Sequence, residues 1–411
     1  MSFMKGFLII FVCTSILDCK RLSRKENDYL QSVCGKINTE PDLKRKILNG
    51  VYVKPGEAPW AVGLRIDHEE GPDEYCSGTL ISSRHFLTAR HCIVKRFDVS
   101  RCEKGIYHLD PAFFKVIEVF IGTTCLGKKH CEKYNQKLTG VTRRIISAYM
   151  IEYCEEPSAN KLRTDLAVVE VDKDVKFDSS IYPVCLAPLQ TEELKKINAK
   201  LPRALFGFGH DPSMGRYSED QDFTLGALRR EDVYPSVCEP LDIDYRFMLC
   251  TTSISGNALG CGGDSGCGVI QYKKDEQNNP RVTVEGVLVK GVACRANLKD
   301  ASDWSTPVGN FSSRICQASG VCIQDFSNGD FDYGPPVVEL VQSEIPLVVK
   351  SGLEDSLSNG SSEAPPGQLF TADVSKPTND LEEKYAEYYN VAKEKLSYIV
   401  LLIFFFQIIF L

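Results

Sequence analysis

A basic surplus is missing: 48 Lys and Arg stand against 55 Asp and Glu, giving a net charge of −7 and a pI near 5.6. Such a chain has no positive field for holding nucleic acid. Metal-ligand spacing is missing too. The cysteines show no tight paired C-x-x-C arrangement, and His68, His85, His108, His130 and His210 follow no ligand pattern, so no metal and no cofactor are expected. No internal repeat points to a solenoid. Helix signals are sparse across the middle of the chain, with Glu192 to Asn198 the best short candidate. Neither apolar run, Gly6 to Leu17 or Leu396 to Leu411, reaches the ~20 residues that a helix needs to cross a bilayer.

What is present points outward from the cell. Residues 1–19 read as a secretory signal, with Lys5 ahead of the short apolar run. Removing them leaves 15 of the 17 cysteines, far more than a reducing cytosol accommodates as structural thiols. An odd number leaves at least one thiol free or paired with another chain. From Ile47 to Cys322, short β-branched and aromatic runs alternate with turn residues: Trp60 to Ile66, Ser77 to Leu87, Leu166 to Val171 and Val282 to Val289. That is the texture of an all-β domain. Residues 323–395 form an acidic, Ser- and Pro-rich stalk that cannot bury enough apolar surface to offset its ordering entropy, so disorder is expected there, with a transient helix at Leu381 to Lys395. Residues 396–411 are a hydrophobic tail, read as a signal for GPI attachment near Asn390 or else as a short membrane anchor.

Acyl transfer by serine requires a hydroxyl nucleophile, an imidazole base, an acid that holds the imidazole and donors for the oxyanion. His91 lies in Phe86-Leu87-Thr88-Ala89-Arg90-His91-Cys92, at the end of a strand-like run. Asp165 opens Asp165-Leu166-Ala167-Val168-Val169, placing a carboxylate where a buried strand begins. Ser265 sits in Gly262-Gly263-Asp264-Ser265-Gly266, whose glycines permit a tight turn that aims the amides of Gly263 and Ser265 at one point. Each motif alone is weak, but the order His, Asp, Ser is not that of subtilisin-like enzymes or α/β-hydrolases. The G-x-S-x-G elbow also fails, because Cys267 takes the place of its last glycine.

On these motifs the chain resembles the chymotrypsin/trypsin family, and more loosely its diverged secreted branch common in nematodes. The resemblance implies two six-stranded antiparallel β-barrels with the active site between them, spanning residues 47–322 after a propeptide at 20–46. It further implies a zymogen: Lys44-Arg45-Lys46 precedes Ile47-Leu48-Asn49-Gly50, so cutting after Lys46 would free the Ile47 amine to pair with Asp264. Family pairings by position are Cys76 with Cys92, Cys261 with Cys294, Cys238 with Cys250 and Cys34 with Cys185. Cys102, Cys125, Cys131, Cys154, Cys267, Cys316 and Cys322 fall outside that set, Cys316 with Cys322 being a plausible local bridge. Sequons stand at Asn310 and Asn359. Polypeptide substrates, an activating protease and a membrane contact through the tail are the expected partners, at the outer cell surface or in the extracellular space.

The pattern departs from the family in three places. Leu259 stands where trypsin-like members carry Asp at the pocket floor, and Gly291 and Gly309 align with the positions that keep the pocket open, so an apolar preference is expected. Val289 and Lys290 replace the Ser and Trp that usually precede Gly291, removing a hydroxyl donor to Asp165. Arg90 replaces a small residue beside His91. These substitutions keep a catalytically weak binding or decoy homologue in view, and behind it a surface adhesion protein.

Overall fold

The computed structural model describes residues 21–37, 51–67, 73–94, 102–103, 106–107, 114–126, 131–132, 139–151, 164–189, 201–210, 226–236, 238, 248–254, 260–275, 277–291 and 302–323. In chain order the first elements are α1 (Arg24–Val33), β1 (Val51–Tyr52), β2 (Ala61–Ile66), β3 (Glu74–Leu80), β4 (His85–Thr88), β5 (Cys102–Glu103), β6 (Ile106–Tyr107), β7 (Ile117–Ile121), β8 (Val141–Arg143), β9 (Ile145–Met150) and β10 (Ala167–Val171). There follow β11 (Cys185–Leu186), β12 (Arg203–Gly207), β13 (Arg229–Pro235), β14 (Leu249–Ser253), β15 (Gly268–Lys274), β16 (Pro280–Lys290), β17 (Asp303–Pro307) and α2 (Ser312–Ser319).

Among the described residues most strands fall into two bodies, antiparallel except where β11 runs parallel to β16, and β5 pairs with β6 apart from both. In the first, the order β8-β7-β2-β3-β4-β10-β9 forms a seven-stranded half-barrel around Leu64, Leu80, Phe86, Ile121 and Val169, all fully buried. In the second, β13-β12-β15-β16-β17-β14 closes when β14 pairs back onto β13, giving a six-stranded barrel with no free edge between those strands. The run Ser77 to Leu87 is two strands rather than one. A turn separates β3 from β4 because the Ser82 hydroxyl accepts from the amides of Arg84 and His85, a local bond that competes with sheet pairing.

Among the described residues, two helices frame the domain. Ser23 caps α1: its hydroxyl accepts from the Glu26 amide while the Glu26 carboxylate accepts from Ser23, satisfying two end donors at once. The helix buries Leu30, a side chain whose removal from water contributes about 2 kcal/mol. α2 stops at Gly320, whose φ of 73° is the left-handed conformation that glycine adopts without a Cβ penalty. Residues 21–37 are therefore integrated into the fold. The Leu22 amide donates to Ser319, the Gly35 amide donates to Pro183, and the Val282 amide donates to Gly35.

Cys34–Cys185, Cys76–Cys92, Cys238–Cys250 and Cys316–Cys322 are bonded as expected, and Cys125–Cys131 is a further bridge. Cys261 is also disulfide-bonded, and Cys294 lies outside the described residues. Cys267 is the free thiol among the described residues, and it is fully buried. Among the described residues no helix is long and apolar enough to cross a membrane. The expected signal, stalk, tail and helix candidates at 192–198 and 381–395 lie outside those residues.

Candidate active site

Sheet register brings the first two candidates together. Thr88 at the end of β4 pairs with Ala167 in β10, so the turn after β4 and the residues before β10 meet at the same edge. His91 lies in a 3-10 turn, Arg90–Cys92, pinned by the Cys76–Cys92 bond to β3. Its Nδ1 is 2.7 Å from Asp165 Oδ2, and its backbone amide donates to Oδ1 at 3.0 Å. With both carboxylate oxygens engaged by one residue, the imidazole cannot swivel. An ionised Asp165 accepts a hydrogen bond from Nδ1–H, which keeps the proton on Nδ1 and leaves the lone pair on Nε2.

Burial works to raise the Asp165 carboxyl, but the His91 hydrogen bond and charge, and then the Arg90 charge, hold it below the ordinary carboxylate range. Arg90 Nε stands 3.4 Å from Asp165 Oδ1. The guanidinium expected to oppose the imidazolium is thus paired with the carboxylate behind it.

The Ser265 loop belongs to the barrel, yet its anchors come from the half-barrel. The Ser77 amide donates to the Ser265 carbonyl at 2.8 Å, and the Ser77 hydroxyl donates to the Gly263 carbonyl at 2.9 Å. Thr88 Oγ1 in turn donates to the Ser77 carbonyl. Gly266, at φ 90°, leaves no space for a side chain: a Cβ there would meet Ser77, Thr88 and Ala89. Gly263, at φ 99°, lets the loop turn so that Asp264 points inward. Among the described residues no acceptor takes the amides of Gly263 or Ser265, and no hydrogen bond joins Ser265 Oγ to the His91 ring. Ser265 reaches this region through its carbonyl, 3.6 Å from Cys92 Sγ.

Asp264 turns away from the nucleophile position into a recess formed by Gly207 and Gly209, where any Cβ would strike its carboxylate. The amides of Gly209 and Cys261 each donate to it at 2.8 Å. Burial pushes the carboxyl up to about 6, against the pull of those amides and of the Arg229 charge. Cys76, His91 and Cys92 also cluster closely enough to suggest a metal site, but the two sulfurs are joined to each other and offer no thiolate.

Several expected site residues fall elsewhere. Lys46, Ile47, Leu259 and Asn359 lie outside the described residues. Asn310 is solvent-exposed. Gly309 does not face Gly291; its Cβ direction meets Pro188 and Leu189, because it belongs to the 3-10 turn Val308–Phe311 beyond β17. The side chain that does face Gly291 is that of Asp303, on the strand next to β16, which no local sequence signal marks. Lys290 lies over the ring of Trp304, 5.1 Å from its centroid, so the cation replacing the usual aromatic is itself stacked on one.

The profile of the nematode trypsin-6-like family matches residues 4–199. Over 299 residues the chain is 26% identical to trypsin-like protease try-5 of Caenorhabditis elegans, covering 66% of this chain and 86% of that one. These likenesses support a trypsin-like serine peptidase family. The chain's likeness extends to coagulation factor IX of Cavia porcellus, 28% identical over 54% of this chain and 66% of that protein. It reaches a suppressor of tumorigenicity 14 protein homolog of Bos taurus, 25% identical over 64% of this chain but only 27% of that longer one. The two strand bodies correspond to the expected trypsin-like two-barrel arrangement, with the half-barrel carrying His91 and Asp165 and the closed barrel carrying Ser265.

Proposed function

We propose that this trypsin-like chain is an extracellular serine endopeptidase made as a zymogen, with Ser265 as nucleophile, His91 as general base and Asp165 as the acid that orients it. The observation that carries the reading is the double hold of Asp165 on the Nδ1 and backbone amide of His91, which leaves Nε2 alone to accept a proton. The unengaged amides of Gly263 and Ser265 are the donors for the oxyanion of the tetrahedral intermediate. A missing Ser265 to His91 hydrogen bond does not disqualify the pair, since such bonds commonly tighten only when substrate binds.

Activation follows from Asp264. A carboxylate held by two backbone amides in a recess has room for one more donor, and the Ile47 amine released by cutting after Lys46 is that donor in this reading. Residues 21–37 remain docked after the cut, joined by Cys34–Cys185. We read the bridges as those of an extracellular protein, and the tail at 396–411 as its GPI signal or membrane anchor. The apolar preference expected from Leu259 is not carried over, because a carboxylate stands against Gly291.

A catalytically weak binding homologue is the second reading, favoured by Val289, which offers Asp165 no hydroxyl. One experiment separates them. The precursor is cut after Lys46 and treated with a fluorophosphonate; labelling of Ser265 supports the peptidase, and its absence from folded, cut protein favours the binding role. A Lys46→Gln variant is expected to stay uncut and unlabelled.

A further inference from the structure

The two glycines that flank the side-chain pocket of the proposed peptidase, Gly260 and Gly291, share a neighbour. A Cβ placed on either would stand 3.3 Å from Oδ1 of Asp303. The Gly260 amide donates to both oxygens of that carboxylate, at 3.0 and 2.9 Å. Asp303 opens β17, and strand pairing carries it there: β17 lies between β16, which ends next to Gly291, and β14.

The carboxylate is fully buried, and the Gly260 amide is its only hydrogen-bond donor among the described residues, with no Lys or Arg paired to it. Burial pushes the group up to about 7, the charges of Asp264 and Glu231 add to the shift, and the Gly260 amide opposes it. Around it are more polar groups without partners. Thr251, its cross-strand neighbour in β14, and Ser305, two residues along the same face of β17, each bury a hydroxyl that makes no hydrogen bond among the described residues. Buried polar atoms are ordinarily satisfied, and buried carboxylates are ordinarily paired. A recess with one anion and two idle hydroxyls complements a cation that carries several N–H donors.

We infer that Asp303 is the anionic base of the substrate side-chain pocket, and that the enzyme takes a Lys or Arg residue on the N-terminal side of the scissile bond. This rests on the peptidase reading above and reverses the preference expected from Leu259. In the uncut chain the Gly291 backbone lies against the Gly260 carbonyl, so admitting a side chain requires these two glycines to part.

The test uses the full chain cut after Lys46. Matched fluorogenic peptides ending in Lys, Arg, Leu or Phe are compared by kcat/KM, and p-aminobenzamidine binding is read by fluorescence. Wild-type protein is expected to favour Lys and Arg over Leu by about 100-fold, and Asp303→Asn to abolish most of that margin, as removing one partner of a buried charge pair does. Fluorophosphonate labelling of Ser265 should persist in Asp303→Asn. A wild-type preference for Leu or Phe, or an unchanged Lys and Arg preference in Asp303→Asn, overturns the proposal. If Ser265 is never labelled, the peptidase reading fails on its own, and the pocket is still tested by amidine binding. Should Asp303→Asn not fold, wild-type binding of benzamidine is compared with that of neutral benzamide: tighter binding of the cation upholds the assignment, and equal binding overturns it.

Discussion

Asn27 and Cys322 hold each other by two hydrogen bonds: the Asn27 amide group donates to the Cys322 carbonyl at 3.0 Å, and the Cys322 amide donates back to Asn27 Oδ1 at 3.0 Å. The side chain is 5% exposed, so water does not replace these bonds if they are lost. They join a helix expected to be propeptide to the last residues of the domain, across a separation of 295 positions. Asn27→Ala is expected to lower unfolding stability by about 2–3 kcal/mol, because it leaves a buried amide and a buried carbonyl unsatisfied. Urea denaturation of the uncut chain measures this, and a change in unfolding free energy below about 0.5 kcal/mol would show that the segment is only loosely attached.

Replacing Asp165 by Asn tests the orienting role separately from folding. The amide retains the shape but stabilises neither the correct tautomer nor the imidazolium, so kcat of the cut enzyme is expected to fall by roughly 10⁴-fold. Circular dichroism and thermal melting should stay close to wild type. A loss of only a few-fold would show that His91 is held by other means.

Arg90 and Val289 form a second pair of tests. Arg90 supplies a charge 3.4 Å from Asp165 Oδ1 at a site where Val289 supplies no hydroxyl. Arg90→Ala is expected to raise the Asp165 carboxyl toward its ordinary value and to reduce kcat several-fold. Val289→Ser adds a donor of a kind worth about 1.5–3 kcal/mol to a charged acceptor, so it should raise kcat by roughly tenfold and soften the effect of Arg90→Ala in the double variant. Strict additivity in that cycle would show that the two residues act independently.

Acid stability depends on Glu26. Its carboxyl is lowered from 4.5 to about 2, first by the Ser23 amide, against burial and with help from the Ser23 hydroxyl and Arg84. A depressed acid stabilises the fold above its unfolded pKa, and the benefit drains away as pH falls from 4.5 through about 2. Glu26→Gln keeps a capping side chain but cannot titrate, so its melting temperature should fall less steeply over that window. Because Glu26 is 42% exposed, solvent screens the pair with Arg84 and the difference is expected to be small. Identical pH profiles for the two proteins would assign the acid sensitivity to other carboxylates.

Much of the candidate site was legible in the chain because its chemistry is local. A base, an orienting acid and a nucleophile must each sit in a short stretch that shapes its own backbone, and the motifs around His91, Asp165 and Ser265 display those stretches directly. α1 left a readable sign as well, since Ser23 and Glu26 have the spacing of a capping box.

The sequence by itself determined the all-β class, the order of the three candidate residues and the positions that tie four bridges. It did so because residue types, short spacings and the family resemblance carry that information. Only the tertiary structure decided that residues 21–37 belong to the body of the domain, that Arg90 turns its charge on Asp165, and that Asp303 rather than Gly309 meets Gly291. Those relationships arise when strands and helices from distant parts of the chain are brought into register. A carboxylate at the start of β17 looks like any strand-end Asp until the barrel closes around it and removes the water that would have screened it.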